Sequence, residues 1–116
     1  MELVQDAVLL RIFLGEDKMH GDKPLYEAIA LKAREAKMAG ATVIHGILGF
    51  GHSTRLHTAR VLMSEDLPVI VEIIDSEEKI DAFLKLLDGV PDIGLVTLDK
   101  VKTLGRRPAG AEAQKG

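Results

Sequence analysis

Two segments of the chain are apolar on both of their alternating faces, and this constrains the fold more than any other feature. Residues 7–14, AVLLRIFL, place Val8, Leu10, Ile12 and Leu14 on one side and Leu9 and Phe13 on the other, with Arg11 the only charge. Residues 67–74, LPVIVEII, repeat the pattern, Leu67, Val69, Val71 and Ile73 opposing Ile70 and Ile74. A period of two in large aliphatic and β-branched residues reads as strand. Strands apolar on both faces belong in a sheet that is covered twice. Arg11 and Glu72 share the parity of the second face, which places them to pair across it.

The segments between these strands decide what can cover them. GEDKMHGD (15–22) is a polar loop bounded by glycines. A helix follows, with Asp22 as its cap, Pro24 in the first turn, Leu25, Ile29, Ala33 and Ala36 on one face, and Gly40 as its end. ATVIHGILGFG (41–51) reads as a strand weakened by Gly46, Gly49 and Gly51, and STRLHTARVLM (53–63) as a short helix capped by Ser53. Asp75 with Glu78 resembles a capping box, and Ile80, Phe83, Leu84 and Leu87 fall at i, i+3, i+4 and i+7 of a second long helix closed by Gly89. Residues 93–101 form the last strand.

The order β-α-β-β-α-β is that of an α+β, ferredoxin-like split βαβ sandwich, a four-stranded antiparallel sheet with its two long helices on one face. Helices on one face leave the second apolar face bare, and self-association is the simplest cover for it. The folded domain is expected to span 1–102, with residues 103–116 a flexible basic tail.

Composition narrows the function. The chain has no Cys, which excludes thiol catalysis, disulfides and Cys-ligated metal centres. No run approaches the roughly 20 apolar residues of a membrane helix and no leader is recognisable, so a soluble, cytoplasmic protein without membrane insertion is expected. From residue 100 onward five basic residues (Lys100, Lys102, Arg106, Arg107, Lys115) face one acid, Glu112. That segment carries +4, and the rest of a chain whose net charge is −3 carries −7. An acidic body with no Trp and one Tyr is a poor nucleic-acid surface.

The densest cluster of polar chemistry is GFGHSTRLHT (49–58). Gly49 and Gly51 allow a sharp turn, backbone N–H groups at a helix start capped by Ser53 can face an anion, and the Ser53 and Thr54 hydroxyls with Arg55 and Arg60 can bond a phosphate. The same residues also describe a strand end running into a capped helix, since Gly-x-Gly is neither a Walker loop nor a dinucleotide fingerprint. His52 and His57 are five apart and lack the i, i+4 spacing of a helical zinc site. His45 lies in a strand and His20 in the loop before the first helix, where His20 and Tyr26 can reach a cleft. Ser53, Ser64 and Ser76 read as caps or turn residues, and Glu65-Asp66 and Glu77-Glu78 as turn and helix-start acids, so no enzyme is expected.

LRIFLGEDKMHGDKPLYEAI, GATVIHGILGFG, RLHTARVLMSEDLPVIVEIID and GLVTLDKVK together resemble domain-of-unknown-function family 190, a PII-like family, from about Leu10 to about Val101. The positions that carry the resemblance are His20-Gly21, Pro24-Leu25-Tyr26, Gly49-Phe50-Gly51, His57-Thr58 and Ser64 through Pro68. The family is similar to the PII signalling proteins and to CutA. The resemblance implies a homotrimer whose sheets face the three-fold axis, an adenine nucleotide as possible ligand in a cleft between subunits, and an unidentified protein target. It carries no enzymatic activity. Taken with the chemistry of residues 49–60, the expected ligand-binding residues are Gly49, Gly51, Ser53, Thr54, Arg55, His57 and Arg60, with His20 and Tyr26. Where PII proteins carry a glycine-rich phosphate loop with Asp and Lys, this chain has DGVPDIGLV, whose charges are all acidic. The leading expectation is a signalling protein that binds a small anionic metabolite and relays it to a partner. The alternatives are a CutA-like metal-binding protein using His45, His52 or His57, and an oligomeric scaffold without a ligand.

Overall fold

The computed structural model describes residues 2–47 and 67–106. In chain order the elements are β1 (Glu2–Gly15), β2 (Met19–His20), β3 (Lys23–Pro24), α1 (Leu25–Glu35), β4 (Thr42–His45), β5 (Pro68–Asp75), α2 (Glu77–Leu87) and β6 (Val96–Arg106). The main sheet is antiparallel with strand order β4-β5-β1-β6, and β2 and β3 form a separate two-stranded turn. Each βαβ unit leaves a gap that a strand of the other fills, which is the interleaving of the split βαβ fold.

The parity of the two doubly apolar strands places the core. Val8, Leu10, Ile12 and Leu14 of β1 and Val69, Val71 and Ile73 of β5 are buried against Leu25, Ala28, Ile29 and Ala33 of α1 and Ile80, Phe83 and Leu87 of α2. Ala36 and Leu84 pack against this cluster from the helix flanks. Each fully buried Leu, Ile or Phe contributes about 1.5–3 kcal/mol. Among the described residues no helix covers the other face. Leu9, Phe13 and Ile70 are half-buried there, Ile44 and Ile74 are about 40% exposed, and Arg11 pairs with Glu72 as their shared parity requires.

Several boundaries differ from the sequence expectation. Helix α1 has Pro24 as its N-cap, with no side-chain cap from Asp22, because residues 19–24 turn back as the β2–β3 pair through Gly21 at φ 67°. The helix stops at Ala36 rather than Gly40, with Lys37 in the left-handed region at φ 61°. The cap of α2 is Ser76, whose Oγ accepts from Lys79 N at 3.3 Å. Asp75 instead accepts from Ala39 N at 2.8 Å and Ser76 N at 2.7 Å, tying the end of β5 to the α1–β4 connection. Strand β4 is confined to Thr42–His45. The first strand starts at Glu2, and β6 runs past residue 103 to Arg106, into the segment expected to be tail. The expected short helix over 53–63 lies outside the described residues.

Candidate functional site

Strand β4 ends at His45 and β5 begins at Pro68, and the described residues define the place where the two ends of the connection between them meet. Gly46 N donates to Pro68 O at 2.7 Å, and Glu16 N donates to Leu67 O at 2.7 Å, so the two roots are held to each other and the second also to the residue that follows β1. Gly46 is required here: a Cβ at this position would stand 2.7 Å from Pro68 Cγ.

Three side chains gather at this sheet end. His45, the last residue of β4, has Nδ1 3.2 Å from Glu16 Oε2, and its ring meets that of Tyr26 edge-on, with centroids 5.3 Å apart and planes at 84°. Tyr26 is brought there because the β2–β3 turn, closed by Leu25 N donating to Lys18 O at 2.8 Å, sets the start of α1 beside β4. An imidazole that donates from Nδ1 to a carboxylate keeps Nε2 as its remaining hydrogen-bonding atom. With 43% of the His45 side chain exposed and 28% of Glu16, the cluster is partly open to solvent. Its carboxylate, imidazole and phenol can bond polar groups of a ligand.

Of the residues expected to bind a ligand, Tyr26 lies in this cluster and His20 stands exposed on β2, one turn before α1. Gly49, Gly51, Ser53, Thr54, Arg55, His57 and Arg60, and His52 of the metal alternative, lie outside the described residues. Glu16 was not singled out in the sequence, where it is one acid among several in a polar loop; only the fold sets it opposite His45. Of the histidines in the metal alternative, His45 is the one described, with Nδ1 facing the Glu16 carboxylate. Among the described residues no group of three or more His, Cys, Asp or Glu could hold a metal ion. Among these residues, too, no helix is long and apolar enough to cross a membrane.

A polar groove bordered by Asp6, Thr42, Glu72, Asp75, Ser76 and Thr103 is acidic and unsuited to an anion. Within it Asp6 accepts from Lys102 Nζ at 2.7 Å. That hydrogen bond first, then the charges of Lys102 and Lys100, holds the Asp6 carboxyl below its ordinary range.

The fold is that of the PII-like proteins. It superposes on CPII from Thiomonas intermedia, a nitrogen regulatory PII-like protein solved with ADP, AMP and bicarbonate, with a TM-score of 0.66 and 18% identity over 90% of this chain and 92% of that one. It also matches a PII-like signaling protein from Thermus thermophilus, with a TM-score of 0.59 and 18% identity over 94% and 96% of the two chains. In sequence, the family model of DUF190, described as an uncharacterized ACR, matches residues 7–103. A UPF0166 protein of Aquifex aeolicus is 40% identical over 97 residues, covering 83% of this chain and 91% of that protein. A UPF0166 protein of Methanocaldococcus jannaschii is 35% identical over 94 residues, 79% of this chain and 86% of its relative. The chain belongs to the DUF190 family.

Proposed function

We propose that this protein is a PII-like regulator that assembles as a homotrimer through the bare face of its sheet and binds a small anionic metabolite, an adenine nucleotide by preference, at a subunit boundary. The binding surface is built from residues 49–60 together with Tyr26 and His20, at the sheet end where His45 and Glu16 meet. The observation that supports this reading is the junction of Gly46 and Pro68 on a PII-like fold, close to the Tyr26–His45–Glu16 cluster; the polar 49–60 segment lies in the connection between these two residues in sequence. CPII, a protein of that fold, is found with ADP and AMP. Ligand occupancy would reposition the segment after Gly51 and so be read by a partner protein. Nothing in this role requires catalysis.

Calorimetric titration of the full chain with ADP, AMP, ATP and bicarbonate tests the reading. One nucleotide is expected to bind, and Arg55→Ala is expected to weaken it by about 1.5–3 kcal/mol through loss of a charge-assisted bond. Absence of heat and of thermal stabilisation across the whole panel would refute nucleotide binding.

A further inference from the structure

The bare sheet face carries one cluster that its apolar surroundings do not explain. Arg11, in the middle of the central strand β1, donates from Nε to Glu72 Oε2 of β5 at 2.9 Å and from Nη1 to Asp99 Oδ2 of β6 at 3.2 Å. The register sets this up. Arg11 lies directly opposite Glu72 on one side and Thr97 on the other, and Asp99 is the diagonal neighbour two residues along β6. Diagonal neighbours on one sheet face are about 7–8 Å apart, within reach of a long side chain. Leu9, Phe13, Ile70 and Ile74 flank the cluster on the same face.

Neither end of the cluster is used up within one copy. A guanidinium has five N–H donors, and among the described residues Arg11 bonds only through Nε and Nη1. Asp99, on the edge strand and with 57% of its side chain exposed, accepts there through Oδ2 alone. Glu72 is the inner, better covered partner, with 27% exposed. The face therefore presents a spare cationic donor at its centre and a spare carboxylate at its β6 margin, each matching the other. A second copy of the same face supplies both at once. A partner of a single charge sign would satisfy one and repel the other.

We infer that Arg11 and Asp99 form a lock between copies of this chain, in which Arg11 of one protomer, held in place by its own Glu72, also bonds Asp99 of the partner subunit. The inference rests on the oligomer reading above and adds the element that fixes how copies meet. The apolar residues supply the attraction and are indifferent to small shifts. A charged group inside an apolar interface tolerates only the register that pairs it, because an unpaired buried charge is strongly disfavoured. Asp99 lies at the rim of such an interface, where solvent screens the surplus of two carboxylates over one guanidinium.

Native mass spectrometry and light scattering of the full chain, from nanomolar to high micromolar concentration, decide the matter. Asp99→Asn is expected to raise the concentration of half-assembly at least about tenfold, as for loss of one partner of an interfacial charge pair. Its far-UV spectrum and the melting of the dissociated protein should not change, since inside one copy the bond is exposed and worth little. Arg11→Leu is expected to weaken assembly further, and the triple change R11L/E72L/D99L to restore it by removing the stranded carboxylates. Wild-type assembly with Asp99→Asn assembling at the same concentration overturns the lock and leaves the oligomer reading standing. A wild-type chain that stays monomeric throughout overturns both.

Discussion

Gly46 shows how much a single residue can settle at the root of the candidate site. In the sequence it weakens a strand; in the fold it ends one, because the chain must pass close over Pro68. The Pro68 ring cannot swing away without disturbing the carbonyl that accepts the Gly46 N–H at 2.7 Å. Gly46→Ala is therefore expected to cost about 1–3 kcal/mol through overpacking, read as a lower urea midpoint with an unchanged m-value. A loss below about 0.5 kcal/mol, the range of neutral surface changes, would mean that the two strand ends part easily and do not hold the segment's roots.

At the scale of elements, the doubly apolar strands were legible because period-two patterning depends only on local sequence, and Leu10 and Ile12 are fully buried where that pattern put them. Helix faces were legible for the same reason. Helix ends were not: Asp75 and Ser76 are adjacent, both can cap, and only the pull of Ala39 N on Asp75 decides between them. The site was half legible. Tyr26 stands out as the sole tyrosine, whereas Glu16 and His45 acquire a role only when β4 closes against the β1–α1 loop.

The ribbon formed by residues 2–7 with 101–106 was missed because MELVQD mixes apolar and polar residues without strict alternation and its pairing lies nearly a hundred residues away. It extends beyond the pairing of β1 with β5, which ends at Val8 and Asp75. Its tie is the Asp6–Lys102 bond, with Val4 and Leu104 paired but exposed. Because the Asp6 carboxyl is held below its ordinary range by Lys102, its contribution is present at neutral pH and lost as pH falls through that lowered value. Ribbon amides are expected to lose protection on acidification below about pH 4, near the ordinary Asp range. In Asp6→Asn they should be less protected already at neutral pH and show no further acid step. The global acid transition should move little, since an exposed pair is worth little. NMR-detected exchange of Val4 and Leu104 checks this, and an identical acid profile in the variant would remove Asp6 from the account.

For the whole molecule the bare face is the decisive feature, because the proposed placement of a ligand between subunits depends on it. Ile74 is 41% exposed on this face, beside Leu9 in the register and away from the Tyr26–His45–Glu16 end of the sheet. Ile74→Lys should leave the protomer's fold and stability within about 0.5 kcal/mol, as for a surface change, yet place three ammonium groups in the proposed trimer interface and shift the chain to monomers. If the nucleotide sits between subunits, this monomer should bind it far more weakly than the wild type, although no proposed ligand contact has been altered. Monomers that bind ADP with undiminished affinity would confine the site to one subunit, built on residues 49–60 alone, and assembly would then serve the partner rather than the ligand. Calorimetry beside native mass spectrometry on the same samples separates the two cases.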